Sequence, residues 1–528
     1  MDTDSSGLAS EAAPGAAGVW DDAAAAACSS ELSLRALTSR WIGSDAAMAV
    51  FGGGNTSVKG PWPARGDPSE PCLYVKGTGA DLAEVTEADF TPIRLRAAAA
   101  LLRGPALDNV ALMQALDPIK LDRDAPRPSI ETLLHAALPH KFVEHTHADA
   151  ILAVINTASG PDTARRLFGT KAPLVPFRHS GFDLAAACAE VYDREHSGDT
   201  IGLLLAFHGV VAFGNDARES HRNLYELRAI AERHLRDRGA WTLATGPTPR
   251  RTWERAVALA GLRLALSRTA GFPMVLHVDD CAETMGFVAR TDLARIALQG
   301  PPTPQHAVFT KRLPALGLDV DAYARDYVVY RQQFGAAYPA DLRPDPAPRV
   351  LLDPAYGAIA ASIDGRHANM TSTVYRHDID IISRASAHND YVSLPPEAVL
   401  AAEVHYGGFE RARLARRAAD LPLLGCIVAI GGGQTLSWSP LARALRAAGA
   451  DVFALGPEQD ATAGVYRHGG IDIFLCPHPG VSPGSQVELL LEYSPGGGLV
   501  LSPSPEADVE DIVETAALVW ASVPGAPA

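Results

Sequence analysis

The sequence of 528 residues has no apolar run of about 18 residues, the length a helix needs to cross a bilayer, so no membrane span is predicted. Basic residues are scarce: 46 lysines and arginines stand against 61 aspartates and glutamates, a formal charge of −15. That balance argues against a surface built to follow nucleic-acid phosphates. The six cysteines, Cys28, Cys72, Cys188, Cys281, Cys426 and Cys476, form no C-x-x-C pair and no zinc-knuckle spacing, which points to reduced thiols rather than a disulfide framework. The opening stretch has neither the basic start nor the continuous apolar core of a secretory leader, so a cytoplasmic protein is expected. No lysine follows Lys311.

What is present is the composition of a globular chain, 47% hydrophobic and 20% charged, with enough length for two or three domains. Residues 1–30, acidic and rich in small residues, are expected to be a disordered tail. Residues 31–240 alternate short apolar strands, glycine turns and amphipathic helices, the pattern of an α/β domain. Residues 241–420 read as a mainly helical connecting region with some short strands after a proline-rich stretch. Residues 421–528 follow strand, glycine turn, helix, strand order, which predicts a small Rossmann-like parallel sheet.

The chemistry concentrates in "FVEHTHADAILAVIN", residues 142–156. On a strand, residues two apart share a face, so His145 and His147 present their imidazoles side by side. His208, where the strand of "LLLAFHGVVAFG" meets a glycine, is a candidate third ligand, and three imidazoles with one exchangeable position make a catalytic metal site. "RPSIETLLHAALPH" reads as a helix opening on Pro128 and Ser129 with Glu131 in its first turn, the candidate acid/base. His135 and His140 read as packing or surface residues. His179, His221 and His234 lack partner spacing and are left out of the metal set.

Five segments in order, "FGGGNTSVK", "VKGTGADL", "PSIETLLHA", "HTHADAI" and "FHGVVAFG", resemble the class II aldolase/adducin family. "GPPTPQHAVFTKRLPALG" and "YVSLPPEAVLAAEVHYGGFERARL" extend the likeness to its fusion type, a rhamnulose-1-phosphate aldolase domain followed by a short-chain-dehydrogenase-like domain. The resemblance implies a divalent metal, zinc in the family's pattern, on His145, His147 and His208, with Glu131 as acid/base. It implies cleavage of a ketose 1-phosphate, such as rhamnulose 1-phosphate, to dihydroxyacetone phosphate and an aldehyde such as lactaldehyde. The substrate phosphate would lie against Asn55, Thr78, Gly79 and Ser129, with Lys76 a further candidate, because Ile130 stands where single-function members have a second serine. A homo-oligomer is expected on the same ground. Epimerisation or decarboxylation on the same metal set, and a non-catalytic adducin-like scaffold, stand as alternatives.

The end of the chain departs from the dehydrogenase pattern. After the glycine turn of Gly431 and Gly433 the later glycines of the fingerprint are missing, and a Leu436 stands where close backbone approach is needed. With no lysine after Lys311, no Tyr-x-x-x-Lys pair exists there. A truncated domain without dehydrogenase activity and without NAD(P) is therefore expected, its glycine turn a relic.

Overall fold

The computed structural model describes residues 19–62, 70–406, 420–431, 439–455, 461–476, 483–495, 497–502 and 508–521. The chain divides into two compact units, residues 1–242 with 380–392, and residues 243–379 with 393–528. The expected α/β class holds in both.

The first unit is built on a seven-stranded sheet: β1 (Asn55–Pro61), β2 (Pro71–Lys76), β3 (Phe90–Arg94), β4 (Phe142–Thr146), β5 (Leu174–Val175), β6 (Gly202–Leu205) and β7 (Gly209–Gly214). The spatial order is β3-β2-β1-β4-β7-β6-β5, antiparallel throughout except for the β5–β6 pair. Alternation along β4 explains the layering. Val143 faces an apolar core shared with Leu133, Leu134, Phe182 and Leu184, whereas Phe142 faces the other way, with Val58, Ala217 and Leu34. Each such side chain removed from water stabilises the fold by about 1.5–3 kcal/mol. Glu144, also on the Phe142 face, is buried against Arg35 at 3.0 Å and accepts from Ser220 Oγ at 3.0 Å. His145 returns to the Val143 face, which is therefore where β4 delivers its chemistry.

The N-terminal expectation needs correcting for its second part. Residues 1–18 lie outside the described residues, but Asp22–Ala26 is a short helix capped by the Asp21 side chain. Trp20 anchors it, lying edge-on to Trp41 and His221 at 5.3 and 5.9 Å. A single large aromatic supplies the apolar contact that the composition of the stretch conceals.

The second unit holds two four-stranded sheets. β8 (Val275–Asp279), β9 (Ala315–Leu316), β10 (Val350–Asp353) and β11 (Gly357–Ser362) are ordered β8-β11-β10-β9. The expectation of a mainly helical connecting region over 241–420 is thus corrected: it carries a sheet of its own, whose first strand lies in a stretch read as helical. β12 (Ile427–Ile430), β13 (Asp451–Ala454), β14 (Ile473–Leu475) and β15 (Leu499–Leu501) form the terminal sheet, ordered β13-β12-β14-β15 and parallel throughout. Helices Ser439–Ala447, Thr462–His468, Ser485–Glu492 and Val509–Ala521 alternate with these strands, as a doubly wound fold requires.

The boundary expected at 420/421 falls inside a common core. Leu259 and Leu266 of helix Trp253–Ala270, Leu276 of β8 and Ile359 of β11 cluster with Ala429, Val465 and Phe474 of the terminal sheet and its helix. Arg263 of the same helix is bound bidentately by Asp472, both bonds 2.8 Å, and also donates to the Gly425 and Met274 carbonyls. Of the expected relic turn, Gly431 is buried and donates to Leu475 O at 2.9 Å, while Gly433 lies outside the described residues. Among the described residues, no helix is long and apolar enough to cross a membrane.

Candidate metal centre and acid/base

The pairing of β1, β4 and β7 assembles the site. Asn55 lies opposite His145 across β1–β4, and His145 opposite Val211 across β4–β7. His147 lies just beyond the end of β4, where its backbone N–H donates to Met48 O at 3.1 Å. His208 stands on the turn that opens β7. Two glycines permit the approach. Gly54 has φ +68°, and a Cβ there would sit 2.6 Å from His145 O; at Gly209 a Cβ would overlap Thr146 O. Phe207, immediately before His208, is held at φ +56°, and Phe51, before the glycine run, at φ +38°. Left-handed backbone at a bulky residue costs about 1–3 kcal/mol and persists where the surroundings fix it.

The ligand atoms of His145, His147 and His208 lie within 4.8 Å of one another. His145 Nδ1 faces Val210 O at 3.0 Å and donates to it, which leaves a lone pair on Nε2, 3.1 Å from His147 Nε2. Burial first, and then the neighbouring His208, push the His145 pKa down to about 4 against the opposing pull of Glu131, so the ring is neutral near pH 7. Glu131 Oε1 is 2.9 Å from His208 Nε2 and its Oε2 is 3.4 Å from His145 Nε2. Burial alone would raise the Glu131 carboxyl, but His145, His208 and His147 outweigh it and hold the group well below the usual carboxylate range. Three imidazole nitrogens close to one another, with a carboxylate against two of them, are a donor set that a zinc-type divalent cation takes, so the residues fit such an ion.

Glu131 does not lie inside a helix. The helix runs Thr132–Ala137, beginning beyond the expected Pro128–Ser129 opening, and Glu131 is its N-cap without making a side-chain cap. Its carboxylate is therefore free to turn to the histidines. Asn55 Nδ2 donates to Glu131 Oε2 at 2.5 Å and to Ser129 Oγ at 3.2 Å. Ser129 Oγ in turn accepts from Glu131 N at 3.2 Å.

His135 is the residue that sequence reasoning passes over. It is fully buried, bonded to Asn55 Oδ1 through Nε2 and to Ser57 Oγ through Nδ1 at 2.8 Å. Burial and the neighbouring His145 push its pKa down to about 3. A neutral His135 thus fixes Asn55, and Asn55 fixes Glu131. A signal for it exists: His135 is four residues after Glu131, the spacing that puts a helical residue on the same side as the residue capping its first turn.

The remaining expected residues gather at one edge of this centre. Thr78 donates through N to Arg127 O at 2.8 Å and through Oγ1 to Pro128 O at 2.9 Å, which sets the exposed Thr78–Gly79 loop beside the Ser129 segment. Gly79 adopts φ +90°. Lys76 is buried, donates to Ala80 O at 2.7 Å and is pushed down to about 8 by burial. Ile130 packs against the apolar core of the sheet, so the position offers no hydroxyl to a ligand.

Sequence comparison decides the family. Residues 35–235 match the "Class II Aldolase and Adducin N-terminal domain" and residues 254–414 match "Aldolase class II, second domain". The chain carries class II aldolase/adducin domains. The second match covers the unit-two sheet β8–β11 and much of the region expected to be a connector. A Bacillus subtilis (strain 168) protein described as "Uncharacterized oxidoreductase YuxG" is 28% identical over 404 residues, 71% of this class II aldolase-domain chain and 57% of that protein; the chain thus spans little more than half of that relative's length. Among solved structures, the N-terminal class II aldolase domain of a conserved Thermoplasma acidophilum protein is 32% identical, with 39% of this chain and 94% of that chain covered and a TM-score of 0.37. L-fuculose-1-phosphate aldolase from Thermus thermophilus is 18% identical, with 39% and 95% covered and a TM-score of 0.25.

Proposed function

We propose that this protein is a metal-dependent carbon–carbon lyase that cleaves a ketose 1-phosphate, rhamnulose 1-phosphate being the reference case, to dihydroxyacetone phosphate and an aldehyde. The observation that carries the reading is the grouping of His145, His147 and His208, with Glu131 against His145 and His208, in a domain of the aldolase family. His145, His147 and His208 would hold the ion, zinc in this reading. When bound, it supplies Lewis-acid stabilisation of the negative charge that develops on the substrate oxygen. Glu131 then serves as the base and acid that exchanges the proton on the adjacent carbon. The Asn55 amide, fixed by His135 and donating to Oε2, keeps the carboxylate aimed without itself taking the proton.

In this reading Thr78, Gly79, Ser129, Lys76 and Asn55 receive the substrate phosphate. Asn55 is already engaged with Glu131 and Ser129, so its contribution there would be orientation more than charge. The absence of a hydroxyl at Ile130 favours a second reading, epimerisation or decarboxylation of a substrate that asks less of the phosphate pocket. The terminal sheet belongs to this proposal as an assembly or packing element without hydride chemistry or NAD(P), supported by the lack of any lysine after Lys311. A homo-oligomer completes the reading by family resemblance.

The test is release of dihydroxyacetone phosphate from a panel of ketose 1-phosphates by the purified full chain with divalent metal. Glu131→Gln should lower turnover by about 10²–10⁴-fold with metal content retained. An epimerised product without triose would reject the lyase reading.

A further inference from the structure

Helix Glu31–Gly43 meets the first unit's sheet with an unexpected face. The residues it buries are Arg35, Ala36, Thr38, Ser39 and Ile42, mostly polar, where a helix on a sheet ordinarily presents an apolar stripe. Hydrogen bonds meet this stripe. Arg35 Nη2 donates to Glu144 Oε1 of β4 at 3.0 Å, and the Ser39 hydroxyl pairs with the Thr56 hydroxyl of β1 at 2.8 Å. Arg35 and Ser39 lie one helical turn apart, and Thr56 and Glu144 are partners across β1 and β4, so both bonds fall on one row of the sheet. The next row is Asn55 and His145, whose side chains point to the opposite face, where the histidines gather.

Two further attachments act on the same stretch of β4. Ser220 of helix Ala217–Asp237 donates to Glu144 Oε1 at 3.0 Å. Beyond the strand, the backbone N–H groups of His147 and Asp149 donate to Met48 O at 3.1 Å and Ala47 O at 3.0 Å, in the segment that follows helix Glu31–Gly43. His145 is therefore flanked on both sides by attachments to one piece of chain, residues 35–48.

Stability does not account for this layer. Arg35 and Glu144 are fully buried, yet Arg35 Nε and Nη1, Glu144 Oε2, Thr146 Oγ1 and both ring nitrogens of His221 lack a hydrogen-bond partner among the described residues. An ion pair taken out of water and left under-satisfied gains little over apolar residues of similar volume. What it supplies is direction. Hydrogen bonds fix both distance and angle, whereas apolar contact has no preferred direction and lets a helix settle on a sheet in several ways.

We propose that Arg35 and Glu144 are positioning residues for the metal centre, their bond setting where β4 lies and so where His145 and His147 present their nitrogens. This rests on the reading of those histidines as metal ligands.

Cobalt(II), whose visible absorption reports ligand geometry, is titrated into the metal-free full-length protein, and urea unfolding is followed in chelator. Two variants should part in opposite directions. Arg35→Met/Glu144→Leu removes one charge of each sign, so the local net charge is unchanged. It should unfold at no lower urea concentration than the wild type, yet bind cobalt about tenfold or more weakly with altered absorption, the scale on which residues that orient metal ligands act. Glu144→Gln keeps an acceptor oxygen for Arg35 and Ser220 but takes away the counter-charge. It should unfold at lower urea while binding cobalt within about threefold of the wild type, because the directional bonds remain. Wild-type cobalt affinity in the double variant, a lower urea midpoint for it, or equal weakening in Glu144→Gln would overturn the proposal. Failure of the wild type itself to bind cobalt would instead reject the metal-ligand reading, and the positioning role with it.

Discussion

Two buried carboxylates show opposite uses of the same burial. Asp472, in the second unit, accepts from Arg263 Nη1 and Nη2 at 2.8 Å each, from Ile427 N at 2.8 Å and from Ser494 Oγ at 2.7 Å. Its charge is cancelled and its lone pairs are filled. Glu131, in the first unit, has one firm donor in Asn55 and otherwise faces imidazoles, of which His145 is held neutral with a lone pair turned inward. The first arrangement is complete as it stands, so it serves to join helix Trp253–Ala270 to the terminal sheet. The second sets a carboxylate beside imidazole nitrogens of which one, His145 Nε2, keeps its lone pair inward, and that is a donor set a cation takes. Burial alone therefore says little about purpose; the tally of donors and acceptors separates the two.

The sharpest way to break this contrast is His208→Ala. Metal content and turnover of the purified protein should fall to background, read by elemental analysis and by the triose assay. In chelator-treated samples the same variant should unfold at no lower denaturant concentration than the wild type, because a site held open for function is not a source of stability. Next in size, Arg263→Ala should cost about 3–5 kcal/mol in urea unfolding by leaving Asp472 buried without its cation. A loss below ~1 kcal/mol would place Asp472 with Glu131 rather than opposite it.

A third carboxylate sharpens the comparison from between these extremes. Glu403 is buried, with Oε1 lacking a partner among the described residues and the other oxygen accepting from Tyr327; burial pushes its pKa up to about 7. Because the folded state holds this proton after the unfolded state has lost it, stability should fall as pH rises from the ordinary glutamate range to about 7. The drop is on the order of 3 kcal/mol, and Glu403→Gln should flatten it in denaturation curves taken across that window.

How much is legible in the sequence follows from the physics of each element. His145, His147, His208 and Glu131 can be read because strand periodicity and glycine turns are local signals. The Asn55–His135 link joins residues 80 apart and depends on β1 lying beside β4, which no local pattern states. Sequence alone accordingly assigns Asn55 to phosphate and nothing else. β8 escapes notice because five residues between helices carry little periodicity, and the shared core of the second unit arises from helix Trp253–Ala270 packing on two sheets at once. The positive φ at Phe207 and Lys311 has no sequence signal, since neither is the glycine that such backbone favours.

The bond from His145 to the Val210 carbonyl ties a candidate ligand to the strand that begins just after another. Slippage of β4 by one position would turn His145 away and bring Glu144 to the ligand face. Cation uptake is then a gauge of strand alignment: during refolding, only molecules that have paired β4 and β7 correctly would sequester the ion, and a chromogenic chelator competing for it would time that step.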